Sequence, residues 1–188
     1  RPLGPYSQVL DVMRTGKLKS RGFTRISIAG HPEGHPGVES SEIRRAQIEK
    51  SAWGAAAGLQ VTLVTQFFFE GAPFIDWARA LRRAGVSASI VAGLAGPASI
   101  RKLLGIAKRC GVGPSMRALS SRPGAVLKML SDRSPDLLLE ELSRETQREP
   151  TLLDGIHLYS FGGFLRTAAW LRQAADSPPE EIRARGVC

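Results

Sequence analysis

Four short runs of apolar and β-branched residues constrain this 188-residue chain most, because each stops at a glycine or polar turn and each is followed by a helical pattern. They are Thr24 to Gly30 (TRISIAG), Gln60 to Phe69 (QVTLVTQFFF), Ser87 to Gly93 (SASIVAG) and Gly155 to Ser160 (GIHLYS). Strands that alternate with helices pair in parallel, since each helix returns the chain to the starting end of the sheet. The expected fold class is therefore α/β with a parallel sheet. A closed eight-stranded (β/α) barrel takes about 250 residues, and four strands are visible here. The pattern alone leaves half of such a barrel, or a smaller open sheet.

The helical stretches complete the alternation. Ser7 to Leu18 reads as a helix with Val9, Leu10, Met13 and Leu18 as its apolar stripe. Ser40-Ser41 is placed as the cap of a long helix that runs through Ile43, Ala46, Ile48, Lys50 and Trp53 to about Gly58, with Glu42 in its first turn. The small residues Ala55-Ala56-Ala57-Gly58 are read as its close contact with the sheet. Pro73 to Ala84 follows, with Phe74, Ile75, Trp77, Ala78 and Leu81 on one side and Gly85 as its stop. Pro97 starts a helix from Ala98 to Cys110, and Gly113 to Ser121 is irregular or a short helix. Gly124 to Leu130, Pro135 to Arg148 (Ser134 as cap, Pro135 as first helical residue) and Phe164 to Ala174 are the remaining helices, ahead of a polar tail from Asp176. One domain over residues 1–175 and a tail over 176–188 is the expected organisation.

Polar features gather just after the strands. Ile26-Ser27-Ile28-Ala29 ends at Gly30, and His31, Pro32, Glu33, Gly34, His35 and Pro36 follow at once, holding two of the chain's three histidines. Gln66, the Gly93 to Pro97 turn, and Tyr159 to Gly163 occupy the same place after the other strands. In α/β proteins ligands sit at the carboxyl ends of the strands. Four polar segments on one rim are the strongest functional sign the pattern offers.

Composition narrows the rest. With 43% hydrophobic residues spread throughout, the chain is globular rather than disordered. No apolar run approaches the roughly 20 residues that span a bilayer, so no membrane partner is expected. No signal peptide opens the chain, and Arg1 in place of Met reads as a processed, truncated or incompletely recorded start. Cys110 and Cys188 have no Cys or His near them at metal-ligand spacing, so no metal is expected and a reducing cytoplasm is the simple reading. The net charge of +9 invites nucleic acid, but the basic residues lie in pairs (Arg44-Arg45, Arg82-Arg83, Arg101-Lys102, Lys108-Arg109) without interleaved aromatics. No nucleic-acid partner is expected; a basic surface also steers anionic small molecules.

The four rim segments together resemble the methylenetetrahydrofolate reductase family. AGHPEGHP (Ala29 to Pro36) is similar to that family's strand-five motif, in which a Tyr commonly stands at the place of His31. TQFFFE (Thr65 to Glu70) is similar to the strand-six motif almost residue for residue. VAGLAGP (Val91 to Pro97) looks like a variant of the proline-rich turn after strand seven, and GIHLYSFGG (Gly155 to Gly163) is similar to the strand-eight motif, where the family often has Asn near Gly162. The resemblance implies a TIM-type (β/α)8 barrel of which this chain carries about the second half. Arg1 to Leu18 looks like the linker and helix after strand four.

The activity so implied is FAD-dependent reduction of 5,10-methylenetetrahydrofolate to 5-methyltetrahydrofolate, with NADH or NADPH as donor. By resemblance, Ala29, His31, Glu33 and His35 line FAD, Lys50 is a candidate for a phosphate contact or a solvated helix lysine, and Tyr6 lies against the flavin or frays. Gln66 is placed on the folate or nicotinamide edge, because its amide both donates and accepts. Tyr159 either contacts substrate or packs in the core with a wet hydroxyl, and His157 beside it is read as a satisfied core histidine. Ile100 falls where many members stack an aromatic. The family's general-acid glutamate and flavin-tuning aspartate have no counterpart in this chain, so no catalytic residue is assigned. A non-catalytic barrel remnant, or a partner subunit that completes its fold with another chain, is the alternative; besides folate, the expected partner is a second copy in a homo-oligomer or a complementing amino-terminal half.

Overall fold

The computed structural model describes residues 4–99, 102–103, 105–106 and 135–176. Two short helices, α1 (Val9–Arg14) and α2 (Lys17–Ser20), precede strand β1 (Arg25–Gly30). Then come α3 (Ser40–Ala56), β2 (Gln60–Phe67), α4 (Gly71–Arg83) and β3 (Ser89–Ala95). After residue 134 the order is α5 (Asp136–Arg148), a 3-10 turn (Pro150–Leu152), β4 (Gly155–Tyr159) and α6 (Phe164–Asp176). All strand pairs are parallel, in the order β1-β2-β3-β4. The α/β class and the four strands stand as the alternation requires.

The boundaries differ in instructive ways. The expected helix Ser7 to Leu18 is two helices, because Gly16 adopts φ +69° and ends the first hydrogen-bond ladder at Thr15. Ser40 is the first residue of α3 rather than its cap; Glu39 holds the cap position, with no side-chain cap bond. Pro135 likewise caps α5 instead of entering it. α4 starts two residues before Pro73, at Gly71. β3 lies two residues later than expected, since Val86 and Ala88 give their carbonyls to Arg82 while Leu94 and Ala95 find partners in Leu158 and Tyr159. β4 ends at Tyr159, one residue short, and α6 runs on to Asp176, where the polar tail was expected to begin. Of the expected helix Ala98 to Cys110, Lys102, Leu103, Gly105 and Ile106 are helical. The rest from residue 107, the predicted helix Gly124 to Leu130, the segment Gly113 to Ser121, Ile100, both cysteines and residues 177–188 lie outside the described residues.

One face of the sheet carries the core. Ile28, Val61, Leu63, Ile90, Ala92 and Leu94 pack against Phe74, Ile75, Trp77, Ala78 and Leu81 of α4, with Leu142 of α5 and Leu152 closing the cluster. Phe68 stacks on Phe74 with ring centroids 5.1 Å apart. α3 meets β2 closely at Gly54, where an added Cβ would overlap Val61 Cγ2. Ala55 and Ala56, the expected contact, are exposed. The opposite face is open at both edge strands, through Arg25, Ser27 and Ala29 of β1 and His157 of β4.

At the amino ends of the strands, Arg82 of α4 gathers four acceptors. It donates to the carbonyls of Val86, Ala88 and Thr151 and to Asp154 Oδ2, and that same oxygen accepts the backbone N–H of Ile90 at 2.8 Å. The entries to β3 and β4 are thus tied together below the sheet. Arg79 bonds Glu145 and Glu149, fixing α4 against α5.

The register breaks once. Val64 pairs with Val91, but the next pair is Phe67 with Gly93, so three steps on β2 match two on β3. This bulge at Thr65-Gln66 reverses the alternation of side chains. Phe67 therefore leaves the main core and joins Tyr159 and Phe161 on the other side, while Phe68 enters the core.

Candidate functional site

The loop after β1 is built from two consecutive turns. Gly34 N–H donates to the His31 carbonyl at 3.2 Å, and Val38 N–H to the His35 carbonyl at 3.3 Å. In the second turn Pro36 presets φ and Gly37 takes φ +77°, the residue pair a type II turn requires. The backbone of the loop is therefore fixed before any side chain is considered.

Gln66, delivered to the rim by the bulge, closes the loop from β2. Its Nε2 donates to the Gly34 carbonyl at 3.3 Å, and its Oε1 faces His31 Nδ1 at 3.3 Å. A carbonyl can only accept, so the amide orientation is settled and His31 must carry its proton on Nδ1. The His31 ring then presents Nε2 as an acceptor. His35 Nδ1 lies 2.9 Å from the Pro36 carbonyl, which fixes the same tautomer. The two rings meet edge-on, 5.4 Å apart.

Burial pushes the His31 imidazole below its ordinary value of 6.5; the Gln66 bond works the other way, and the charges of His35 and Lys50 add to the depression. A histidine with a depressed folded-state pKa binds fewer protons folded than unfolded, so stability rises with pH. This contribution is intact above the unfolded value of about 6.5 and is lost as pH falls through that value toward the lower folded pKa. Titrating the imidazole resonances by NMR should give His31 a midpoint below 6.5. His31→Gln should flatten the stability–pH curve on the acid side of that value. A midpoint at or above it would contradict the half-buried, Nδ1-protonated ring.

A buried polar bridge supports the strand end. Gln47 of α3 is 3% exposed. It donates from Nε2 to the Ala29 carbonyl at 3.3 Å and accepts the Trp77 indole N–H at 3.0 Å. Trp77 also lies against Gly30, where an added Cβ would stand 3.0 Å from the indole ring. Beside this bridge opens a cleft of about 530 Å³ between the loop (His31, Pro32, Glu33, Gly34), α3 (Ser40, Ile43, Arg44, Gln47) and α4 (Pro73, Asp76, Trp77, Ala80, Arg83).

The structure thus gathers His31, Glu33, His35 and Gln66 at one rim, with the Ala29 side chain exposed on the open sheet face next to them. Lys50, half-buried on α3, is close enough for its charge to act on His31. Tyr6 is exposed and makes no hydrogen bond or ring contact among the described residues. Tyr159 turns its hydroxyl to the Thr65 carbonyl at 2.9 Å. His157, expected in the core, is exposed and meets Tyr159 edge-on at 4.5 Å. Three contributors were not singled out from sequence: Gln47, Trp77 as a hydrogen-bond donor, and Thr65 as the bulge residue. The described residues contain no group of three or more His, Cys, Asp or Glu able to hold a metal ion. They contain no helix long and apolar enough to cross a membrane.

A family model described as methylenetetrahydrofolate reductase matches residues 4–117. That stretch contains the His31 to His35 loop, Gln66 and the turn after β3; the fourth motif, Gly155 to Gly163, lies beyond it. Matched over more than half of its length, with the matched motifs converging on one rim, the chain belongs to the methylenetetrahydrofolate reductase family.

Proposed function

We propose that this chain forms the cofactor-and-folate rim of an FAD-dependent reductase, which converts 5,10-methylenetetrahydrofolate to 5-methyltetrahydrofolate at the expense of NADH or NADPH, and that its sheet is about half of a (β/α)8 barrel. The observation that carries this is the junction of His31, Gly34 and Gln66: residues of the flavin-side motif and of the folate-side motif share one hydrogen-bonded unit.

The donor set suits FAD. His35 and Glu33 supply hydrogen-bonding groups for ribityl or ribose hydroxyls, and His31 offers an acceptor nitrogen at the rim. Ala29, small and exposed on the open sheet face, leaves room for a planar ring. Lys50 is the cation for a phosphate, and Tyr6 is assigned to the flavin by resemblance alone. When bound, the flavin supplies hydride transfer; this chain holds and orients. In this reading Gln66 meets the folate with the amide N–H and the oxygen lone pair that its bonds to Gly34 and His31 leave over. Any general acid stands outside the assigned residues.

A second reading, a subunit that completes its barrel with another chain, is favoured by one observation. β1 and β4 are the outermost strands of the sheet, and among the described residues neither has a partner on its outer edge. Phe164, Leu165 and Leu171 of α6, the helix that follows β4, are exposed.

The test is flavin retention. The chain, mixed with FAD and dialysed, should keep a flavin absorption band, and 5-methyltetrahydrofolate should perturb it. His31→Ala together with His35→Ala should weaken FAD binding by about tenfold or more, as expected for loss of two hydrogen-bonding side chains. A chain that binds neither ligand, even joined to a polypeptide supplying the other strands, would sink the reductase reading. Flavin binding that appears only with such a polypeptide would establish the second.

A further inference from the structure

We infer that Tyr159 and Thr65 are positioning residues that lock the β2 bulge and so aim Gln66 at the rim; this rests on the reading of Gln66 as the folate contact. A bulge leaves backbone groups without ladder partners, and here two backbone groups beside it are bonded by side chains. The Gly93 N–H donates to Thr65 Oγ1 at 2.8 Å, and the Thr65 carbonyl accepts the Tyr159 hydroxyl at 2.9 Å. Thr65 is fully buried. The lock thus crosses three strands: Tyr159 on β4 reaches over β3 to hold β2.

Gly93 is what permits the reach. An added Cβ there would overlap the Thr65 carbonyl and stand 2.7 Å from Tyr159 Cε2. The Tyr159 ring is itself held flat against Phe161, with centroids 5.4 Å apart and planes within 4°. It also packs edge-on against Phe67 at 6.5 Å. The phenol is consequently pinned by packing, and its hydroxyl points at one backbone oxygen.

The geometry defines what failure of the lock would do. If β2 lost the extra residue from its pairing, Gln66 and Phe67 would exchange faces, because a one-residue slip inverts every side chain beyond it. Gln66 would leave His31 and Gly34, and Phe67 would be driven toward the core now filled by Phe68. Tyr159 thereby acts on the folate side through Gln66 without touching the ligand.

The experiment follows the Gln66 side-chain amide by NMR in the full chain, alongside dissociation constants for FAD and for 5-methyltetrahydrofolate. Tyr159→Phe should shift the Gln66 amide signals and weaken 5-methyltetrahydrofolate about tenfold, the scale of one lost hydrogen bond to a buried carbonyl. FAD should weaken by a smaller factor, because His31 loses its Gln66 bond but keeps its place in the loop. Thr65→Val, which keeps shape and removes the acceptor, should reproduce the amide shift; Thr65→Ser, which keeps the oxygen, should not. Leu158→Ala, next to Tyr159 on β4 but packed against the main core, is the control: it should lower stability and leave the Gln66 signals in place. Unmoved Gln66 signals in both Tyr159→Phe and Thr65→Val would overturn the lock, as would equal shifts in Leu158→Ala. A wild-type chain that shows the amide pattern but binds no folate would remove the folate reading and leave the lock standing.

Discussion

Trp77→Ala should lower the free energy of unfolding by about 3–5 kcal/mol in urea denaturation, the largest single-site loss expected in this chain. The indole is 8% exposed and packs on Phe74 with ring centroids 5.9 Å apart. Removing it leaves a cavity beneath Gly30 and strands Gln47 Oε1, buried, without its donor. Trp77→Phe separates the two effects. It keeps a ring in the core and deletes only the N–H, so it should cost about 1–3 kcal/mol, the range for a buried polar group left unpaired. The Ala variant should also disturb the His31 titration, because Ala29 and Gly30 lose their support. A loss below about 1 kcal/mol for Trp77→Ala would mean that the indole is peripheral.

Gly54→Val ranks second. A Cβ at this position would overlap Val61 Cγ2 and meet Met13 Cε at 3.5 Å, so two further methyl groups have no room between α3 and β2. The helix must lift from the sheet, uncovering Met13 and Val61, which are 1% and 7% exposed. Overpacking of this kind costs about 3 kcal/mol when the obstacle is a stiff, buried β-branched side chain such as Val61 rather than a flexible chain end. The measurement is again the denaturation midpoint, with Ala55→Val as a paired control. Ala55 is exposed on the same helix and should change stability by no more than about 0.5 kcal/mol. Equal effects of the two substitutions would show that α3 does not dock through Gly54.

The alternation of strands and helices was legible because its signal is long-range and redundant: four apolar runs and the helices between them agree on a parallel sheet. The stripe of α3 was not. Of its apolar residues Ile43, Ala46, Ile48 and Trp53 only Ile43 is buried, together with Gln47, Ser51 and Gly54. A helix that buries a glutamine, a serine and a glycine gives no hydrophobic period to read. Gln47 is buried because two groups far away in sequence, the Ala29 carbonyl and the Trp77 N–H, satisfy its amide. The bulge was illegible for a related reason. The string Thr65-Gln66-Phe67-Phe68-Phe69 alternates plausibly either way, and the choice is made by Gly93 and Tyr159 on other strands. His31, Glu33, His35 and Gln66 were visible as a rim because Gly and Pro punctuate the strand ends; Tyr6 had only resemblance behind it.

The Arg82 cluster separates two jobs along the length of the same strands. The spacing of β3 and β4 is set at their amino ends, where one guanidinium binds three carbonyls and Asp154. The carboxyl ends carry His31, Gln66 and the turns, and they take no part in that anchorage. Residues at the upper rim can therefore change without disturbing this one anchorage. An exchange such as imidazole for phenol at position 31 alters the chemistry offered to a ligand, while the Arg82 anchorage of β3 and β4 is left in place. A lineage can then explore new ligands at one end of the sheet while selection for a folded chain acts mainly at the other.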